Sequence, residues 1–132
     1  MSRFCFFFEK TSRLRGAQTR FLKTIMIEIN DKLALESQLK KNKRVLALFY
    51  ASWCPFCRSF LSVFDRKAPK HGFNLVIRVK VDDYDNPLWE EYSIEAVPTV
   101  ILFEEGKVCM RLDGRLGRGL SEKQLSEWLE RI

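Results

Sequence analysis

Val45-Leu46-Ala47-Leu48-Phe49-Tyr50-Ala51-Ser52-Trp53-Cys54-Pro55-Phe56-Cys57 is the stretch that decides the fold. The run from Val45 to Tyr50 is apolar throughout and short, which reads as a strand covered on both faces by helices. After it Phe56, Phe60, Leu61 and Phe64 recur at helical spacing. Cys54 therefore stands where a strand gives way to a helix. There the first backbone N–H groups lack partners and the positive end of the helix dipole favours an anion, so a thiol tends to ionise. Helix-start cysteines of this kind have pKa values lowered into a range of roughly 3.5–7.5. The i, i+3 spacing puts both sulfurs on one face of the first turn, within reach of a disulfide. Pro55, having no N–H, suits the first helical position. The stretch reads as a dithiol able to attack, form and release disulfides.

The surrounding chain limits the alternatives. Its 132 residues suffice for one domain with a real core. No run approaches the ~20 apolar residues of a spanning helix, so no membrane role is expected. Four cysteines with one close pair do not make a disulfide-built scaffold, and a reducing, cytoplasmic setting with a working dithiol is the simpler expectation. The net charge of +6 is concentrated in residues 1–26, where six basic residues face one acid. From Ile27 onward 17 basic residues face 16 acidic ones, so the domain lacks the footprint of a nucleic-acid binder.

Residues 1–26 read as a basic, poorly ordered extension, with Met26 as a candidate true start. The burst Phe4-Cys5-Phe6-Phe7-Phe8 is shorter than a signal-peptide core, and the Arg and Ser content has only a weak likeness to a transit peptide. The domain is expected over 27–132. Ile27 and Ile29 alternate as a short strand, and Asn30 or Asp31 can cap a helix running to the basic stop at Lys40–Arg44. The Cys helix is expected from Pro55 to about Ala68, ended by Pro69 and Gly72. Leu75–Val81 reads as a parallel strand, Asp82–Pro87 as a polar turn and Leu88–Tyr92 as a short helix. Val97–Phe103 and Val108–Leu112 read as a hairpin about Glu104-Glu105-Gly106-Lys107. Ser121 then caps a last helix that buries Leu125, Trp128, Leu129 and Ile132. The order β-α-β-α-β-α-β-β-α is that of an α/β domain with a mixed sheet between helices. No internal repeat interrupts it.

From Ile27 to Ile132 the sequence resembles the thioredoxin family. Tyr50-Ala51-Ser52-Trp53-Cys54-Pro55-Phe56-Cys57 matches that family's aromatic-Ala-x-Trp-Cys-x-x-Cys segment, Val97-Pro98-Thr99 its Ile/Val-Pro-Thr, and Phe103-Glu104-Glu105-Gly106-Lys107 its Phe-x-x-Gly-Lys/Glu hairpin. The resemblance implies a thioredoxin fold, a cis Pro98 beside the sulfurs, and two-step exchange. Cys54 attacks a substrate disulfide, and Cys57 resolves the mixed disulfide. It implies an apolar docking surface of Trp53, Pro55, Phe56, Val97 and Pro98, with Val97 pairing to the substrate backbone as an added strand does. Gly114 or Gly117 would allow close approach. Disulfide-containing proteins are the implied substrates, with a thioredoxin-reductase-type electron donor, no bound cofactor or metal, and a monomeric state.

Two departures stand out. Pro55-Phe56 replaces the usual Gly-Pro and is similar to the Pro-aromatic pair of glutaredoxins, which leaves a glutathione-dependent oxidoreductase as an alternative. A non-catalytic redox sensor or binding module is the second. Leu48 occupies the place of the family's buried Asp beneath the second cysteine, and Arg78 falls near that Asp's partner lysine. The base that would deprotonate Cys57 is thus missing, leaving water or another carboxylate to serve. Zinc or an iron–sulfur cluster needs about four ligands, and His71, Cys109 and Cys5 do not form a second close pair. His71 reads as a solvated loop residue and Cys109 as strand packing.

Overall fold

The computed structural model describes residues 24–132; the expectations for residues 1–23, Cys5 included, lie outside them. The elements are β1 (Ile25–Ile29), α1 (Lys32–Lys41), β2 (Arg44–Tyr50), α2 (Pro55–Lys67), β3 (Leu75–Lys80), α3 (Leu88–Glu91), β4 (Thr99–Glu104), β5 (Lys107–Asp113) and α4 (Glu122–Arg131). They occur in the expected order. The strands form one sheet ordered β1-β3-β2-β4-β5. β1 and β2 flank β3 in parallel, while β4 runs antiparallel to β2 and to β5.

Every residue of β2 is buried. Since successive side chains point to opposite faces, the sheet is covered on both sides. Phe49, Phe60, Phe64, Phe103 and Trp128 are the largest of the fully buried side chains. Removing each from water contributes about 1.5–3 kcal/mol. Helices α2 and α4 pack together, and Arg66 and Lys67 of α2 pair with Glu122 of α4 at 3.6 and 3.3 Å. Ser121 and Gln124 form a reciprocal capping box that starts α4. At the far end of β2 the side chains of Arg44 and Glu104, both buried, pair at 3.0 Å, and the guanidinium lies 5.0 Å from the centre of the Phe73 ring.

Several boundaries differ from the sequence reading. The first strand opens at Ile25, two residues before Ile27, because Ile25 and Met26 continue the register onto Leu75 and Val76. Asp31 stands at the N-cap of α1 without a side-chain hydrogen bond. The Cys helix ends at Lys67, and Ala68–His71 tightens into a 3₁₀ turn before left-handed Gly72. β4 begins at Thr99 and not at Val97, since Pro98 has no N–H to give a ladder. Among the described residues no helix is long and apolar enough to cross a membrane.

Candidate active site

Sheet register assembles the site. Phe49 of β2 faces Thr99 of β4, and Thr99 faces Asp113 of β5. On the other side Tyr50 pairs with Lys80 of β3. The segments just beyond this line, 51–57, 82–89, 95–98 and 114–119, therefore meet at one end of the sheet.

Cys54 is the N-cap of α2, with extended backbone and Pro55 behind it in the first turn. Its Sγ accepts from the Cys57 backbone N–H at 3.4 Å and lies 3.7 Å from the Val97 carbonyl oxygen, toward which the thiol donates. Both thiols are free. Cys54 keeps 5% of its surface exposed and Cys57 none, so only the first sulfur faces outward. Burial pushes the Cys57 thiol up to about 12; a hydrogen bond from the Ala51 backbone opposes this, and the neighbouring Cys54 adds to it. The Val97–Pro98 peptide is cis, as the resemblance implies.

The loop before Cys54 is tied to the turn after β3. Asp82 accepts from the Ser52 N–H at 2.7 Å and the Ser52 hydroxyl at 2.5 Å, and its backbone oxygen accepts from Trp53 Nε1 at 2.9 Å. Partial burial pulls the Asp82 carboxyl up, but the bonds from Ser52 and the charge of Lys80 outweigh it and hold it below the usual carboxylate value. Leu48 is fully buried in β2, beside Arg78 of β3 and Val100 of β4. The Arg78 guanidinium instead faces Glu28 at 3.8 Å and Asp65 at 3.5 Å.

A groove of about 220 Å³ runs past Cys54. Trp53, Pro55, Phe56 and Val97 line it as expected, joined by Tyr84, Trp89, Glu95, Ala96 and the tip of the Gly114–Gly119 loop. Trp53, Tyr84 and Trp89 form a ladder of tilted rings with centroids 5.4 and 4.9 Å apart. The ladder escapes a sequence reading that takes Asp82–Pro87 as a polar turn; the one available signal is an aromatic residue amid three aspartates. Pro98 and Gly114 are not among the lining residues but stand together. A Cβ on Gly114 would lie 2.2 Å from the Pro98 carbonyl oxygen, so of the two candidate glycines Gly114 is the one pressed against the proline. Gly117 lines the groove rim. A larger hollow of about 800 Å³, between the end of α1 and the β4–β5 turn, contains neither cysteine. Cys109 lies half-buried in β5 against the core, and its sulfur is engaged in a disulfide, so it is more than the packing residue expected from sequence.

The thioredoxin family model matches residues 26–131. The chain belongs to the thioredoxin family. It is 34% identical over 105 residues to the thioredoxin of Mycoplasmoides gallisepticum, an alignment spanning 80% of this chain and 100% of the relative. It is 31% identical over 104 residues to the bifunctional thioredoxin reductase/thioredoxin of Mycobacterium leprae, covering 78% of this chain and 22% of that one. The reduced thioredoxin pre-protein of Schistosoma mansoni superposes with a TM-score of 0.68 at 25% identity, over 82% of this chain and 98% of the other. The thioredoxin fold expected from sequence is the one observed. Like other thioredoxins, the protein is a thiol–disulfide oxidoreductase, and these likenesses do not favour the glutaredoxin-like or non-catalytic alternatives.

Proposed function

We propose that Cys54 and Cys57 are the redox pair and that the protein reduces protein disulfides in the cytoplasm. The observation that carries this is the seat of Cys54. Its sulfur caps α2, takes a first-turn N–H, and faces a groove beside Val97. A helix start of this kind offers unpartnered backbone N–H groups to the reacting sulfur. Cys54 thiolate attacks one sulfur of the substrate disulfide. That S–S bond breaks, the departing thiolate takes up a proton, and a Cys54–substrate disulfide forms. Cys57 then gives up its proton and attacks Cys54 Sγ, releasing the second substrate thiol and leaving a Cys54–Cys57 disulfide. Two electrons and two protons pass to the substrate.

Trp53, Pro55, Phe56 and Val97 hold the substrate segment, and Gly114, pressed against the Pro98 carbonyl, lets the loop close against the proline next to Val97. A reductase of the thioredoxin-reductase type returns the electrons to a monomeric chain; the fusion of both activities in the Mycobacterium leprae relative supports that pairing. An equilibrium redox titration followed by Trp53 fluorescence tests the direction of flow. A potential near −270 mV, the value typical of thioredoxin, is expected; one at about −200 mV or above would overturn the assignment as a reductant.

A further inference from the structure

We propose that the Gly114–Gly119 loop makes the groove selective for disulfide-bearing protein segments with an acidic residue beside the reacting cysteine, read by the guanidinium groups of Arg115 and Arg118. This rests on the reading of Cys54 and Cys57 as the redox pair.

The loop is clamped to the site at both ends. Gly114 abuts the Pro98 carbonyl, and a Cβ on Gly119, whose φ is +67°, would lie 2.6 Å from Phe56 Cβ, between the two cysteines in sequence. Between these anchors the chain closes a tight turn. The Arg118 and Gly119 N–H groups both donate to the Arg115 carbonyl, at 2.9 and 2.8 Å, and Arg115 N–H donates back to Gly119 O at 3.4 Å. Neither glycine admits a side chain without moving the proline or the phenylalanine. The backbone that carries the two arginines is therefore held at a set place beside Pro98 and Phe56.

Arg115, Leu116 and Gly117 form one wall of the groove, and Leu116 is 82% exposed at the tip. Both arginines are exposed, and among the described residues no carboxylate pairs with either. The groove's own acid is Glu95. Nearby Asp82 is engaged by Ser52 and Lys80, and Asp83 accepts from the Asp85 N–H. Arg115 on the groove wall and Arg118 in the same turn, neither paired with a carboxylate among the described residues, leave the loop side of the groove positive, with Glu95 the acid of the lining. An extended segment laid along Val97 would bring a side chain next to its cysteine under that loop. A carboxylate there gains one or two part-exposed ion pairs, worth roughly a three- to tenfold preference. Because such charges act through encounter and are screened by salt, the preference falls on KM and fades as ionic strength rises.

The test uses two disulfide-linked reporter peptides identical except for Glu or Lys on either side of the cysteine, with dithiothreitol regenerating the dithiol. The full-length protein is expected to reduce the Glu peptide with about fivefold higher kcat/KM at low salt, expressed in KM. The Arg115→Gln/Arg118→Gln variant should bring the ratio to about one, and Arg115→Glu/Arg118→Glu should invert it. A ratio near one in the wild type, a preference for the Lys peptide, or a ratio unchanged by either variant overturns the inference. Bis(2-hydroxyethyl) disulfide, small and uncharged, separates the two readings. Its reduction without charge preference among the peptides overturns the selectivity alone, while failure to reduce any disulfide overturns the Cys54–Cys57 assignment with it.

Discussion

Resolution of the mixed disulfide is the step at which this chain should differ from a thioredoxin that keeps an acid beneath its second cysteine. Cys57 has to attack as a thiolate, yet burial holds its thiol up to about 12. At pH 7 only a very small fraction of a thiol held that high is ionised, and the fraction grows tenfold with each pH unit. Once Cys54 is bound to substrate it carries no charge, so its share of the upward push disappears, but burial, the largest cause, remains. Stopped-flow mixing of the reduced protein with excess peptide disulfide, carrying a different dye on each half, separates attack from release. The release phase is expected to rise close to tenfold per pH unit between pH 7 and 9. Leu48→Asp supplies a carboxyl at the place of the missing base. It should speed release at pH 7 by roughly 10² and flatten the slope, as a positioned general base does. It should also cost several kcal/mol, because Leu48 is fully buried and a carboxyl replaces its apolar contacts. A release phase independent of pH in the wild type, or unaltered in Leu48→Asp, would refute the reasoning.

Three further outcomes are expected. Cys54→Ser should abolish disulfide reduction, whereas Cys57→Ser should still attack and accumulate a protein–substrate mixed disulfide, resolved by mass spectrometry. Stability should fall as pH rises from about 9 toward 12, by an amount on the order of a few kcal/mol. Burial raises both Cys57 and Tyr50 to about 12, so the native state keeps protons the unfolded chain has lost; urea midpoints across that window check the sign, and a flat profile contradicts it. Glu104→Gln, which leaves the Arg44 charge buried without its carboxylate partner, should lower the urea-derived stability by about 3 kcal/mol, while Arg44→Met/Glu104→Leu should cost much less.

The strand–helix junction was legible because its signals are local: an apolar run, a proline in the first turn, and phenylalanines at helical spacing. A mixed sheet followed from the order of the elements but its strand order did not, and the cis Pro98 followed from the family resemblance; the ladder starts only at Thr99 because the proline cannot donate. What escaped notice depends on contacts between segments far apart in the chain. Tyr84 sits in a turn whose aspartates announce solvent, and only the fold sets its ring between Trp53 and Trp89. Asp82 reads as one turn carboxylate among three until the parallel pairing of Tyr50 with Lys80 carries it under Ser52. The choice between Gly114 and Gly117 turned on distances to Pro98 that spacing alone does not contain.

Register also links the buried ion pair to the chemistry at the opposite end of the sheet. β2 and β4 pair from Arg44↔Glu104 at one end to Phe49↔Thr99 at the other, and Cys54 and Pro98 lie just beyond the second. A slip of one residue would turn the apolar faces of β4 over and move Pro98 along the strand by about 3.3 Å. It would also part Arg44 from Glu104 inside the protein, at a cost of several kcal/mol. A buried pair adds little net stability over a matched apolar pair, so its larger effect is on which register is allowed. The apolar double variant should accordingly keep most of its stability yet lose more reductase activity than its unfolding midpoint explains, because the sulfur and the proline are no longer held opposite one another. Activity that tracks stability alone across Glu104→Gln and the double variant would show that the pairing pattern of β2 and β4 is set by the apolar residues between the two ends.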